Sequence, residues 1–185
     1  MLRATLLGCC VLTGAAPMAS DGDDFGIMSD KVPELKPLAH YVGAWDVAFD
    51  NRELPFSKGK VAAKWVLDGR FVDQEWEVID KNGGVALRVK TLYAFDAGKN
   101  AYRSWTFVSD GNVTESDGVW DDKARTMTFI AKKKEGEAFS TTTSDFSEKG
   151  VETWKIAIAD PTGKPAIDIV GKSTRRKIPS DEKRK

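Results

Sequence analysis

The first candidate for a chemical role in this sequence is its single histidine, His40. Histidine can act as a general base, bind a metal ion or bind haem iron. No serine–histidine–aspartate set is recognisable around His40, and glycine-rich phosphate-binding patterns are absent. His40 stands just before a predicted strand, a position typical of a surface or end-capping residue. The sequence therefore does not indicate an enzyme, and we predict no catalytic residues.

Carboxylate pairs are the next candidates for acid–base chemistry. Glu75 and Glu77 share one face of a predicted strand with Asp73, which is the composition of a solvent-facing surface. Neighbouring residues of a strand point to opposite sides, so Asp121-Asp122 is typical of a turn. Asp110-Gly111-Asn112 also fits a turn, because the further oxygen ligands of a calcium loop are missing. We therefore predict no metal site and no cofactor.

More informative are polar side chains that share a strand face with large apolar residues. If these faces point inward, a few polar groups stand among aromatic rings, which is the usual composition of a pocket for an amphipathic small molecule. In the alternative, the polar groups pair with inward carboxylates or lie in water at the mouth of a barrel. The candidate ligand-binding residues are Arg70, Gln74, Trp76, Tyr93, Arg103 and Trp105.

The elements that position these residues are predicted from a period-two alternation of apolar and polar residues. Trp45, Val47 and Phe49 fall on one side of an extended chain, as in a half-buried strand. The alternation returns at 61–67, is interrupted by Asp68-Gly69 and resumes at 70–76, which predicts a hairpin with a tight Asp-Gly turn. Similar units fill the remaining chain as far as about residue 176.

Repetition of this unit predicts about ten antiparallel strands and a short N-terminal helical segment. Such strands can form a sandwich or a barrel, and a closed barrel removes the exposed edges that would otherwise aggregate. We therefore predict an all-β, antiparallel, up-and-down barrel. At 185 residues the chain is long enough to bury the core of one such domain.

The first residues have the pattern of a secretory signal peptide. One positive charge at Arg3 is followed by an apolar stretch and then by small residues up to Ser20. Cys9 and Cys10 both lie in this segment, so the mature chain would contain no disulfide or thiolate site. We predict a periplasmic or extracellular protein without a lipid anchor. The predicted organisation is a signal peptide at 1–19, a linker at 20–31, a barrel domain at 32–178 and a charged tail at 179–185.

Charge and hydropathy narrow the classes of partner. The chain has 28 Lys and Arg residues against 28 Asp and Glu residues. This balance of charges differs from the excess of basic residues that is typical of nucleic-acid-binding proteins. No apolar run reaches the roughly 20 residues that a transmembrane helix needs. We therefore predict no nucleic-acid partner and no transmembrane segment after processing, which leaves a small molecule as the possible partner.

The motif Gly43-Ala44-Trp45 resembles the opening of a lipocalin-type, or calycin, barrel. In such barrels Gly-x-Trp begins the first strand, and an arginine late in the last strand packs over the indole. The resemblance implies that Arg175 or Arg176 closes the barrel against Trp45. A guanidinium on an indole face contributes about 0.5 to 2 kcal/mol.

A longer set of segments resembles the bacterial family named domain of unknown function 1579. These segments are Lys64 to Val72, Tyr93-Ala94-Phe95-Asp96, Tyr102-Arg103-Ser104-Trp105, Gly118-Val119-Trp120-Asp121 and Thr174-Arg175-Arg176-Lys177. The resemblance implies a calycin-like barrel and bacterial export, and it implies no established activity. Nitrobindin-like haem barrels share the Gly-x-Trp opening, but their haem-binding histidine lies late in the chain. This chain has no histidine after His40, so we expect no haem.

Two hypotheses of function follow from the sequence. In the first, the exported barrel binds an apolar or anionic small molecule in its interior. In the second, the barrel is packed, has no ligand and acts as a structural or interaction protein through its outer surface. A hollow interior favours the first hypothesis, and a contiguous apolar surface patch beyond a few hundred Å² favours the second.

Overall fold

The structure, a computed structural model, describes residues 32–51, 54–132, 138–160 and 162–177. The predicted signal peptide, linker and charged tail lie outside the described residues. All the elements below therefore belong to the predicted barrel domain.

One short 3₁₀ helix and ten strands make up the described part of the chain. The helix spans Pro33–His40. The strands are β1 (Gly43–Phe49), β2 (Phe56–Val66), β3 (Phe71–Asp80), β4 (Val85–Asp96), β5 (Ala101–Val108), β6 (Val113–Asp121), β7 (Thr126–Lys132), β8 (Ala138–Asp145), β9 (Val151–Ala159) and β10 (Pro165–Arg175).

The ten strands form one closed barrel. Each strand pairs with its neighbours in the chain, and β1 pairs antiparallel with β10. The seam between these two strands aligns Trp45 with Arg175 and Phe49 with Gly171. Closure leaves no unpaired strand edge along the ring, which protects the sheet from pairing with other chains. The predicted all-β, closed antiparallel barrel with very little helix is confirmed.

Strand β2 illustrates why this sequence forms barrel strands. Val61 and Trp65 are buried, whereas Lys60 and Lys64, the residues directly before them, are exposed. Side chains of a strand alternate between its two faces, so the apolar residues fill the interior and the lysines reach water. The predicted alternation therefore gives the inward face of this strand correctly.

The hairpin between β2 and β3 differs from the predicted tight turn. Four residues, 67–70, join the two strands. The backbone φ is positive at three consecutive residues of this turn, with values of 51°, 56° and 72° at Leu67, Asp68 and Gly69. Because the turn is longer than an Asp-Gly pair, Arg70 precedes strand β3 and does not share its inward face.

The 3₁₀ helix closes one end of the barrel. Pro33 and Pro37 lack a backbone N–H, which disfavours a regular α-helix and leaves tighter 3₁₀ turns. Leu35 and Leu38 of the helix are buried, and the Tyr102 hydroxyl donates a hydrogen bond of 2.9 Å to the Glu34 carbonyl. The core beneath the helix also contains Tyr41, Ala63, Trp65, Val72, Tyr102, Met127, Phe129 and Phe146.

Candidate functional site

The half of the barrel away from the 3₁₀ helix is hollow. It encloses a cavity of about 320 Å³, at the lower end of the range for ligand pockets. The apolar lining residues are Phe49, Phe56, Trp76, Val78, Leu87, Val89, Val108, Phe129, Phe139, Trp154, Ile156, Ile158 and Ile169. The polar lining residues are Gln74, Thr91, Tyr93, Ser104, Thr106, Thr114, Ser116, Ser140 and Thr142.

The cavity wall has a hydroxyl-bearing side and an apolar side. All eight hydroxyl-bearing lining residues come from strands β4, β5, β6 and β8, and one hydrogen bond of 3.1 Å joins the Thr91 and Thr106 hydroxyls. Strands β1, β9 and β10 contribute only apolar lining residues, and there Phe49 packs edge-on against Trp154 at 5.3 Å. A bound molecule can therefore meet hydrogen-bonding groups on one side and rings or aliphatic groups on the other.

Gln74 forms part of the inner end, or floor, of the cavity. Its Oε1 accepts hydrogen bonds from the Tyr93 hydroxyl at 2.9 Å and from Trp76 Nε1 at 2.8 Å. Two donors on the oxygen fix the orientation of the amide and leave Nε2 as its donor group. Gln74 can thus offer a hydrogen-bond donor to an acceptor atom at the floor.

A buried carboxyl group, Glu152 of β9, lies in the interior on the helix side of this floor. Burial raises the pKa of Glu152 to about 7, while hydrogen bonds with Ser144 and Ser173 lower it. Burial also raises the pKa of Tyr41 well above its usual value, and the Tyr41 and Tyr93 rings stack at 4.5 Å. Polar groups therefore lie where the helix-capped core meets the cavity, and Phe129 belongs to both.

Three of the six predicted ligand-binding residues meet at the cavity. Gln74, Trp76 and Tyr93 line it and form one hydrogen-bonded group. Arg70 requires a correction, because it is exposed in the turn before β3 and lies outside the cavity. The longer turn is the physical reason for this displacement.

Arg103 and Trp105 also require a correction, because they lie on the outer face of β5. The alternating residues Ser104 and Thr106 line the cavity instead. On the outside, Arg103 Nε lies 2.9 Å from Asp117 Oδ1, and its guanidinium also pairs with Asp96 and Glu115. The guanidinium is 5.5 Å from the centre of the Trp105 ring. Arg103 therefore links three surface carboxylates and does not contact the interior.

The residues predicted to close the barrel lie together at its helix-capped end. The Arg175 guanidinium is 4.2 Å from the centre of the Trp45 ring. Arg175 also donates a hydrogen bond of 3.1 Å to the His40 carbonyl, and it bonds to the Val42 carbonyl. Arg176 instead pairs with Asp46 at 3.0 Å. Arg175 is thus the arginine that covers the indole.

Several residues of the interior are not among those predicted from the sequence. Glu152 and Trp154 stand two positions apart on β9, so they share the inward face of that strand. This spacing is a signal that was available in the sequence. Thr142 lies in a run of three threonines, Thr141 to Thr143, where the alternation of apolar and polar residues is absent. No pattern in that run distinguishes its inward residue from its outward ones.

Two further observations concern only the described residues. They contain no group of three or more histidine, cysteine, aspartate or glutamate side chains placed to hold a metal ion. They also contain no helix with the length and apolar character needed to cross a membrane.

Comparisons with known proteins bear on the fold. No protein-family model matches the chain, and no curated protein matches it. Among solved structures, the chain is similar to the crystal structure of Rv2717c from M. tuberculosis, with a TM-score of 0.59 and 10% sequence identity. The similarity covers 79% of this chain and 99% of that chain. At this identity the similarity shows the fold alone.

Proposed function

We propose that the barrel binds a neutral, mainly apolar small molecule in its interior cavity. The observation that carries this proposal is the cavity itself, which is hollow, has a polar floor and has mostly apolar walls. A packed barrel would fill this space with side chains, as the opposite half of this barrel does.

The lining favours a neutral ligand over an anionic one. Among the described residues, no Lys, Arg, His, Asp or Glu side chain lines the cavity. An ionised ligand would lose its hydration there without gaining an opposite charge, which is costly in free energy. Arg70 and Arg103, which suggested an anionic ligand in the sequence, both lie outside the cavity.

The floor supports one orientation of the ligand. A carbonyl, ether or hydroxyl oxygen of the ligand would accept a hydrogen bond from Gln74 Nε2, because Gln74 Oε1 is already held by two donors. The apolar part of the ligand would then extend between Trp154 and the threonines of β4 and β5 toward the open end. Burial of apolar surface would supply most of the affinity, at about 25 cal/mol per Å².

A matched pair of substitutions tests this proposal. Thr142 lines the cavity, whereas its neighbour Thr143 faces outward on the same strand. We expect Thr142→Phe to fill part of the cavity and to weaken ligand binding at least tenfold, which corresponds to about 1.4 kcal/mol. Thr143→Phe adds the same ring outside the barrel and is expected to leave binding within about twofold.

Two measurements show how Thr142→Phe and Thr143→Phe affect ligand binding. Native mass spectrometry after mild purification detects a ligand retained by the protein. Fluorescence titration with an apolar probe gives the affinity, with Trp76 and Trp154 as reporters in the cavity wall. Equal probe binding by Thr142→Phe and Thr143→Phe would contradict an interior site. The absence of retained ligand and probe binding from the unsubstituted protein would favour the ligand-free interaction barrel.

One observation favours that second function. Phe107 of β5 and Val113 of β6 are paired across the two strands on the outer face, and both are exposed. Adjacent exposed apolar residues are a feature of protein interaction surfaces. If this pair contacts a partner, Phe107→Ser would weaken that contact without changing the affinity for the apolar probe.

We further propose that the barrel is calycin-like and related to the domain of unknown function 1579 family. The Gly43-x-Trp45 opening of β1 and the Arg175 guanidinium over the indole support this relationship. The same resemblance supports export, and the small residues before Ser20 support cleavage of a signal peptide after Ala19 or Ala16. N-terminal sequencing of protein recovered from the periplasm tests export, and a chain that retains Met1 would contradict it.

A further inference from the structure

A second concave site lies at the helix-capped end of the barrel, on the side opposite the ligand cavity. This cleft has a volume of about 620 Å³. Its cationic lining residues are Arg125, Lys149 and Arg175, and His40 and Phe146 form part of its wall. The residues come from the 3₁₀ helix, the β6–β7 turn, the β8–β9 turn and the end of β10. Barrel closure therefore brings together basic side chains that are far apart in the sequence.

The two arginines of this cleft are held by backbone and ring contacts and not by carboxylates. Arg125 Nε donates a hydrogen bond of 3.1 Å to the Phe146 carbonyl, and its Nη2 lies 3.4 Å from His40 Nε2. Arg175 Nη2 donates to the His40 carbonyl at 3.1 Å. Within the described part of the chain, no ion pair to an Asp or Glu side chain joins either guanidinium. Each guanidinium has five N–H donors, so both retain donors for a further acceptor.

His40 lies between these two arginines. Its ring stacks on Trp120 at 5.4 Å and on Phe146 at 5.2 Å. Burial lowers the pKa of His40, and the positive charges of Arg125 and Arg175 lower it further. A lowered pKa keeps the imidazole neutral at pH 7, and an anion placed in the cleft would favour its protonated form.

The charges around the cleft remain positive when its carboxylates are included. Glu148 lines the cleft, but its side chain pairs with Lys172 at 3.6 Å on the outer surface. Asp122 near the β6–β7 turn accepts a hydrogen bond from Trp120 Nε1 at 3.3 Å. Asp121 Oδ1 accepts bonds from the backbone N–H groups of its own turn. Of these three carboxylates only Glu148 lines the cleft, where its one negative charge stands against the positive charges of Arg125, Lys149 and Arg175.

We propose that this cleft binds a compact oxyanion of the phosphate type, held by Arg125 and Arg175 with Lys149 at its edge. Planar guanidinium groups bind phosphate oxygens through paired, charge-assisted hydrogen bonds. Both guanidinium groups and the His40 ring line this one cleft. The site is independent of the interior cavity, so its failure and the failure of the proposed interior site are separate outcomes.

The single histidine provides a direct test by nuclear magnetic resonance. The pKa of His40 is measured from its ring resonances in chloride and in sulfate at equal ionic strength. Sulfate keeps its charge across the titration, and we expect it to raise the pKa of His40 by about 0.5 to 1 unit. By linkage, a rise of one unit means that the anion binds about tenfold more tightly to the protonated form. An equal pKa in both salts would overturn the proposal.

Two substitutions show whether the effect belongs to the cleft. Arg125→Gln removes one guanidinium from it and is expected to abolish the difference between sulfate and chloride. Arg88→Gln is the matched control, because Arg88 is an exposed arginine of β4 that lies next to Glu77 at 3.8 Å. It is expected to keep the full difference. A sulfate effect that persists unchanged in Arg125→Gln would also overturn the proposal.

The oxyanion can be free in solution or part of a lipid headgroup, and two probes distinguish these sources. Inorganic phosphate is titrated at constant pH while the His40 resonances are followed. Vesicles of phosphatidylglycerol are tested by co-sedimentation, with vesicles of phosphatidylcholine for comparison. Binding of either anionic probe that is lost in Arg125→Gln supports the site and identifies its source. Binding of neither probe, or binding that survives Arg125→Gln, overturns it.

Discussion

At the scale of single residues, Glu152 is a buried acid whose environment makes stability depend on pH. Its carboxyl is buried in the barrel interior, where an ionised group would be poorly solvated. Burial raises its pKa to about 7 from an ordinary value of 4.5. The folded protein therefore binds a proton at pH values where the unfolded chain has released it.

This difference predicts the direction of pH dependence. Between about pH 4.5 and pH 7 the folded state holds more protons than the unfolded state, so the free energy of unfolding falls as the pH rises. The contribution of Glu152 is complete below pH 4.5 and is lost as the pH rises through 7, with a total on the order of 3 kcal/mol. Glu152→Gln keeps the shape of the side chain and removes its titration. We expect this variant to gain stability relative to the unsubstituted protein as the pH rises.

Urea unfolding at pH 5 and pH 8 measures this effect. The quantity of interest is the change in free energy of unfolding between the two pH values, compared between Glu152→Gln and the unsubstituted protein. Glu148→Gln is the control, because Glu148 is exposed and makes only a surface ion pair with Lys172. Identical pH dependence in Glu152→Gln and the unsubstituted protein would show that Glu152 does not titrate in this range.

At the scale of strands, Gly171 of β10 lets the wall of the cavity form. A Cβ atom at this position would overlap the Trp154 ring and would lie 2.7 Å from the Ala48 carbonyl oxygen. The backbone of β10 therefore has to approach both the indole and strand β1 without a side chain. The missing side chain at Gly171 therefore lets the Trp154 ring pack against β10 in the cavity wall.

Gly171→Ala is expected to lower the free energy of unfolding by about 1 to 3 kcal/mol, because the added methyl group forces the indole and the backbone apart. The displaced indole would also enter the cavity and weaken binding of the apolar probe. Gly98→Ala is the control, since the nearest contact of its added methyl group would be Asp96 Oδ1 at 3.3 Å in an exposed turn. It is expected to cost no more than about 0.5 kcal/mol. Urea unfolding and probe titration measure both effects.

The residue pattern of each strand also explains which inward faces can be predicted from the sequence. Alternation predicts the inward faces of β1 and β2 because their large buried residues, such as Trp45 and Trp65, alternate with small or polar residues that are not buried. On β5 both sides carry large residues, with Tyr102 on one and Trp105 on the other. Alternation alone does not say which side of such a strand faces inward. The direction depends on how the whole ring closes, so the alternation of β5 alone does not place Arg103 on the outer face.

The length of the turn between β2 and β3 is a second property that the alternation of apolar and polar residues does not predict. Arg70 has the same parity as Val72 and Gln74, so the alternation predicts an inward Arg70 if the strand begins there. The positive φ values at Leu67 and Asp68 extend the turn and exclude Arg70 from the strand. Gln74 kept its predicted position because it lies well inside β3. Predictions near a strand end are therefore the weaker ones.

At the scale of the whole molecule, the two ends of the barrel have different properties. One end is filled by the 3₁₀ helix and its core, and the other contains the cavity. Both ends depend on the seam between β1 and β10, which joins the beginning of the barrel to its end. At the filled end, the seam is stabilised by the contact between the Arg175 guanidinium and the Trp45 ring. At the open end, it is stabilised by hydrogen bonds from the Asn51 side chain to the backbone of β10.

Substitution of Asn51 tests its contribution to the seam between β1 and β10 at the open end. Its Nδ2 donates to the Asp168 carbonyl at 2.8 Å, and its Oδ1 accepts from the Val170 N–H at 2.9 Å. Asn51→Ala removes both bonds and is expected to lower the free energy of unfolding by about 1 to 3 kcal/mol. Hydrogen exchange at the Val170 amide should accelerate more than exchange in the middle of the barrel, because the seam opens first from this end. Asn112→Ala is the control, since the Asn112 side chain bonds to Asp110 within its own turn. Unchanged exchange at Val170 would show that the seam closes without Asn51.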